Sequence, residues 1–182
     1  MIEVRWHGRG GQGSFTVARL LGKAAALFEN RPALAFPSFG PERRGAPVLG
    51  FTKIDDKKIT DRSEVVECDY AVVLDETLMN EQITKGIKKN GTIVINTSHP
   101  EKYDYLNGIN RISVDATSIA LEILGKPITN TAMLGALIAT SGIVSLEAAI
   151  KGIENELKPS LVEKNVKVLK RAYTEVKGGN HE

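Results

Sequence analysis

The hydrophobic pattern opens with a short strand, Ile2 to Trp6, that runs straight into a glycine-rich segment, Gly8-Arg9-Gly10-Gly11-Gln12-Gly13. Phe15, Ala18, Leu21, Ala25 and Phe28 then recur at helical spacing, and Ser14 stands where an N-cap is expected. Leu34 to Phe36 predicts a second strand. The stretch 37–47 holds three prolines and two glycines, so it reads as an ordered loop rather than a helix. Val48 to Ile54, Asp55-Asp56 and Lys57 to Ile59 together predict a β-hairpin.

Tyr70 to Leu74 and Thr92 to Ile95 are short β-branched apolar runs, the pattern of buried parallel strands. Between them, Glu76 to Lys89 favours helix and meets Asn90-Gly91, a C-terminal stop. Arg111 to Val114 predicts another strand, followed by a helix through Leu124 that Asp115 caps. Thr131 to Thr140 is almost entirely apolar and small, so a buried helix is expected. Ser145 opens the next helix, and Ser160-Leu161-Val162-Glu163 matches a capping box before the last.

Strands alternating with helices place the chain in the α/β class. The expected architecture is a mostly parallel sheet flanked by helices, Rossmann-like, with a β-hairpin and a long ordered loop. There is no internal repeat and no flexible linker, so one domain over 1–177 with a frayed tail at 178–182 is the simplest organisation. A chain of 182 residues is long enough to bury a substantial core.

Composition narrows the chemistry. Twenty-four basic against 22 acidic side chains leave a net charge of +2, and there is no long Lys/Arg run, so nucleic acid is not the expected partner. No apolar stretch reaches the roughly 20 residues of a membrane span. The N-terminus lacks a charged leader followed by an apolar run, so a cytoplasmic location is expected. Cys68 is the only cysteine. One thiol forms no internal disulfide and does not supply the four ligands an iron–sulfur cluster takes. His7, His99 and His181 lack metal-ligand spacing. The acidic neighbours Glu67 and Asp69 raise a thiol's pKa, so Cys68 is expected to be inert.

Gly8-x-Gly10-x-x-Gly13 has the spacing of a dinucleotide fingerprint in a strand–turn–helix setting. Such a turn brings an anion to unpaired N–H groups at a helix start. By itself the motif admits two readings, an anion site and a tight turn that lets strand and helix pack. The second strand candidate ends Ala35-Phe36-Pro37, without the acid that binds a nicotinamide ribose. Ser14-Phe15 stands where a P-loop needs its lysine. Downstream, Glu42-Arg43-Arg44-Gly45 lies in the proline-rich loop. Arginines held there lose less freedom on binding a phosphate or carboxylate, and Glu42 is a candidate partner for them. A solvated charge pair is the alternative.

Three segments together carry a resemblance. Gly8 to Gly13, Phe36-Pro37-Ser38-Phe39-Gly40-Pro41-Glu42-Arg43-Arg44-Gly45-Ala46-Pro47-Val48, and Asn130-Thr131-Ala132-Met133-Leu134-Gly135-Ala136 resemble the gamma subunit of pyruvate and related 2-oxoacid:ferredoxin oxidoreductases. Weaker matches at 73–75, 114–117 and 125–127 follow in the family's order, and the resemblance spans residues 2 to about 175. It implies a subunit of an enzyme that splits a 2-oxoacid, most simply pyruvate, releases carbon dioxide, forms acyl-coenzyme A and reduces ferredoxin. Thiamine diphosphate, magnesium and iron–sulfur clusters are expected in the alpha, beta and delta (ferredoxin-like) partner subunits, with none bound firmly by this chain alone.

Coenzyme A is the candidate ligand here. Gly8, Gly10, Gly11, Gln12 and Gly13 would supply backbone N–H groups to its phosphates, Arg43 and Arg44 their guanidinium groups, and Ser38 and Asn130 neutral hydrogen bonds. Asn130 is equally readable as the N-cap of its helix. No catalytic acid, base or nucleophile is assigned. Asp75 and Asp115 read first as turn and cap residues, and His7 as a neighbour of the turn. Two other readings remain: a stand-alone NAD- or FAD-dependent oxidoreductase, and a non-catalytic nucleotide-binding regulator.

Overall fold

A computed structural model of the chain describes residues 1–38 and 43–179. Six strands form one sheet: β1 (Ile2–Arg9), β2 (Ala33–Pro37), β3 (Pro47–Ile54), β4 (Cys68–Val73), β5 (Ile87–Asn96) and β6 (Asn110–Val114), in the order β2-β3-β1-β4-β5-β6. β1, β4, β5 and β6 run parallel, whereas β3 lies antiparallel between β1 and β2. The six helices of α type are α1 (Ser14–Lys23), α2 (Glu81–Lys85), α3 (Ala116–Leu124), α4 (Asn130–Ser141), α5 (Leu146–Glu156) and α6 (Pro159–Gly179). The α/β class and the mostly parallel, helix-flanked sheet match the expectation.

Alternation along the strands splits the core in two. Val4, Trp6, Val72 and Val94 face α1, α4 and α6, while Phe51, Ala71, Val73, Ile93 and Ile95 face the opposite side with Cys68, Ile83 and Tyr103. α4 is buried from Asn130 to Ala139, so this small-residue helix is internal core of the chain. Cys68 is fully buried, and burial is the first cause raising its thiol pKa, in keeping with an inert role. Among the described residues no helix is long and apolar enough to cross a membrane.

Several local expectations need correction. Residues 57–59 are not a strand, because both edges of β3 are already taken by β1 and β2. The hairpin that exists is β2–β3, around the proline-rich loop, of which Phe39 to Glu42 lie outside the described residues. The helix expected over 76–89 shrinks to a 3-10 turn at Glu76–Leu78 and the five residues of α2. Ile87 instead pairs with Cys68, and Lys88 is pulled into the sheet by Glu3 (2.8 Å) and Asp69 (3.0 Å). Asn90 therefore adopts its positive φ of 69° within β5, not at a helix end.

In the first helix, Ala18, Leu21 and Ala25 are buried as expected, but Phe15 and Phe28 are exposed. A π-turn over Ala24–Phe28 widens the helix and rotates Phe28 outward. At the last helix Glu163 does not close a capping box. It pairs forward with Lys167 (3.0 Å), and Pro159 begins α6.

Candidate functional site

The glycine-rich segment carries β1 over the top of the sheet into α1. Gly13, at φ 80°, is the N-cap residue, so Ser14 is the first helical residue and not the expected cap. Gly13 offers no side-chain cap and the first turn holds no acidic residue. The first-turn N–H groups thus have no intrahelical partner and add to the positive end of the helix dipole. They open on a cleft of ≈ 540 Å³, within the size range of small-molecule sites. Arg9, Gly11, Gly13, Ser14, Thr16 and Ser38 line it with Phe15, Pro37 and the start of β3, and no acidic side chain among the described residues does. The Ser14 hydroxyl is buried and unpartnered among the described residues.

Gly10 joins the turn to the arginine loop. Its N–H donates to the carbonyl of Ala46 (2.8 Å), and its own carbonyl accepts from Gly45 N–H (3.1 Å). A Cβ at Gly10 would lie 2.3 Å from the Arg43 carbonyl oxygen, so only glycine permits this approach. Turn and loop, separate in sequence, are one body here.

The expected ligand groups divide. Gly11, Gly13 and Ser38 line the cleft, while Gly8 and Gly10 make room for Ser14 and for the loop. The Gln12 side chain turns away: its Oε1 accepts from Arg9 N–H (2.7 Å) and its Nε2 donates to Asp75 (3.1 Å). Arg43 and Arg44 are exposed beside the cleft and do not line it. Their suggested partner Glu42 lies outside the described residues. Asn130 is not the cap of α4, a place Thr129 takes. It is the first helical residue, buried, with its Nδ2 packed against Gly13 from behind.

The side chain the expectation passed over is Arg9. Its guanidinium reaches Asp75 (3.3 Å), the Thr77 hydroxyl (2.9 Å) and the Gly45 carbonyl (3.1 Å), tying three segments together at the cleft wall. Asp75 accepts from Thr77, Gln12 and Arg9, and caps the 3-10 turn. Burial raises its pKa, but the Thr77 and Gln12 hydrogen bonds and the Arg9 charge outweigh it, so the carboxyl stays below the usual carboxylate range. Asp115 does cap α3, accepting from Ser118 N–H (2.9 Å).

His7 points to the other face of the sheet, with Arg5. Burial first, and the Arg5 charge second, pull its pKa down to about 3. Trp6 is fully buried, donating from Nε1 to Thr52 (3.0 Å), and offers no stacking platform. The place where a dinucleotide fold puts its second parallel strand, beside β1, is filled by antiparallel β3. The missing ribose-binding acid therefore has no strand to stand on.

Comparison with known proteins fits this geometry. The profile of the family described as pyruvate ferredoxin/flavodoxin oxidoreductase matches residues 3–175. The chain is 50% identical over 177 residues to pyruvate synthase subunit PorC of Methanocaldococcus jannaschii, with 97% of each chain covered. It is 46% identical over 179 residues to the pyruvate/ketoisovalerate oxidoreductases common subunit gamma of Pyrococcus furiosus, covering 95% of this chain and 96% of that one. A crystal structure of pyruvate oxidoreductase subunit PorC from Thermotoga maritima superposes with a TM-score of 0.82 at 38% identity, covering 95% of both chains.

Proposed function

Because the chain belongs to the pyruvate ferredoxin/flavodoxin oxidoreductase family, we propose that it serves as the gamma subunit of a 2-oxoacid:ferredoxin oxidoreductase and there holds the phosphate end of coenzyme A. The complex converts a 2-oxoacid to acyl-coenzyme A and carbon dioxide as ferredoxin is reduced. Pyruvate is the 2-oxoacid favoured by the relative at 50% identity. The Pyrococcus furiosus relative is by name common to a pyruvate and a ketoisovalerate oxidoreductase. A gamma chain shared in that way does not choose the 2-oxoacid, so selection belongs to companion subunits. Thiamine diphosphate with magnesium supplies the carbanion chemistry, and iron–sulfur clusters the electron transfer, in alpha, beta and delta companions. This chain, with one buried cysteine, provides no ligand set for a cluster. The assembly is cytoplasmic.

The observation that carries the coenzyme A reading is the cleft at the start of α1, with free N–H groups, Ser14 and Arg9 on its wall and no carboxylate among its described lining residues. Phosphate groups suit both backbone N–H donors and guanidinium. Arg43 and Arg44 stand at the rim, where they would add attraction without close contact.

Thr16→Glu in the assembled complex tests this. Thr16 is the third residue of α1 and lines the cleft. A glutamate is favoured there by the helix dipole, so the fold is kept. A carboxylate about 6 Å from a bound phosphate charge repels it by roughly 1–3 kcal/mol at an effective dielectric of about 80 down to 20. The KM for coenzyme A should rise about tenfold with the KM for the 2-oxoacid and the assembly unchanged. An unchanged KM for coenzyme A, with the subunits still assembled, rejects the site. Arg44→Ala separates the rim roles: an interface role weakens assembly and leaves the coenzyme A response ordinary.

A further inference from the structure

A second cleft, ≈ 570 Å³, opens on the sheet face away from α1. β1 supplies Arg5 and His7 to it, β3 supplies Leu49, the β4–α2 connection supplies Met79 and Asn80, and α2 supplies Ile83. Both β1 side chains are more than nine-tenths buried, at 8% and 9% exposure. The Arg5 guanidinium donates to the carbonyls of Val66 (2.9 Å) and Ile83 (3.2 Å), and its Nε has no partner among the described residues. Nε2 of His7 is likewise unpartnered among them.

Three other basic groups near this face are matched. Arg9 has Asp75, Lys53 has Asp61, and Lys88 has Glu3 and Asp69. Arg5 makes no ion pair with any described residue, and the described residues of the cleft lining include no aspartate or glutamate. A guanidinium withdrawn from water without a counter-charge is unfavourable, and carbonyl dipoles compensate only part of the loss. Among the described residues the cleft is therefore a positive, half-apolar socket short of one negative charge.

We infer that this socket receives an acidic side chain from a partner subunit, whose carboxylate offsets Arg5 while its neighbours pack on Leu49 and Met79. The inference rests on the chain working as a subunit, not on the coenzyme A site at α1. A partner segment suits the socket because the wall is mixed: an aspartate or glutamate flanked by apolar residues matches both the charge and the Leu49, Met79 and Ile83 surface.

Met79 is half-buried on the wall and packs at the edge of the core, so Met79→Gln is the reference for the packing that any polar change loses. Met79→Glu, Met79→Gln and Met79→Lys would be compared for affinity of this chain for its assembled companions, by titration at low and at raised salt. Met79→Glu should weaken assembly at least about tenfold relative to Met79→Gln, with Met79→Lys close to Met79→Gln and the gap narrowing as salt rises. Equal weakening by Glu and Lys would mean that the socket reads shape and not charge, and overturns the inference. So does assembly at full affinity by all three. If Met79→Glu assembles normally but raises the KM for a 2-oxoacid or coenzyme A, a small anion occupies the socket, and the partner segment is rejected. None of these outcomes depends on how Thr16→Glu behaves.

Discussion

Gly10→Ala should unfasten the arginine loop from the glycine-rich turn without unfolding the protein. The new Cβ would lie 2.3 Å from the Arg43 carbonyl oxygen, 2.9 Å from its carbon and 3.1 Å from the Arg44 Cα. All three are backbone atoms, so no side chain can swing aside. Ordinary contact begins at 3.4 Å, and the loop must retreat by about 1 Å to reach it. The two backbone hydrogen bonds between the segments, 2.8 Å and 3.1 Å long, would then exceed bonding distance. Each contributes about 0.5–1.5 kcal/mol net, so the local cost is about 1–3 kcal/mol. That is roughly a 5- to 150-fold rise in the opening equilibrium of this region. Amide exchange reads it directly: Gly45 and residue 10 should lose that much protection while Val4, Trp6, Val72 and Ile93 in the core keep theirs. Because Arg43 to Gly45 are exposed and can detach on their own, Tm should fall by only a few degrees. Wild-type protection at Gly45 would refute the coupling of turn and loop. A uniform loss of protection across the core would show instead that the clash is absorbed by the sheet.

His7 and Thr52 give two tests of the interior. His7 has a folded pKa of about 3 against an unfolded value near 6.5, so the unfolded chain binds its proton first as pH falls. This group's contribution to stability is full above pH 6.5 and is lost at up to about 1.4 kcal/mol per pH unit down to pH 3. In urea unfolding at pH 7, 6 and 5, His7→Leu should remove that slope, and parallel curves for variant and wild type would contradict the burial argument. Thr52 accepts from Trp6 Nε1 (3.0 Å) and donates to the Ala18 carbonyl (2.9 Å), all out of contact with solvent. Thr52→Val keeps the volume but strands an indole N–H, so about 2–3 kcal/mol and roughly 5–10 °C in Tm should be lost, with Thr52→Ser close to wild type. Equal Tm values for Val and Ser would show that the hydroxyl is not needed.

How far the chain could be read in advance depended on the distance over which each signal acts. The strand–turn–helix at 2–23, the β-branched runs of β4 and β5, the Asp115 cap and the small-residue α4 are written in neighbouring residues, and they stand as expected. The partner of β3 is not local. Val48 to Ile54 looks like half of a hairpin whichever strand it meets, and only assembly of the sheet shows β1 on one edge and β2 on the other. Lys88 belongs to a helix by composition and to a strand by its ion pairs with Glu3 and Asp69, of which Glu3 is 85 residues away. The same distinction sorts the site. A glycine has few reasons to occupy a turn, so Gly10 and Gly13 pointed to it. A charged side chain goes where its counter-charge is. Arg43 and Arg44, conspicuous as a pair, stayed in solvent. Arg9, hidden between two glycines, was drawn onto the cleft wall by Asp75, 66 residues further on. Arg5 follows the same rule with its counter-charge missing from the described chain, which is why the physics of one unpaired guanidinium reaches beyond this subunit to whatever covers it.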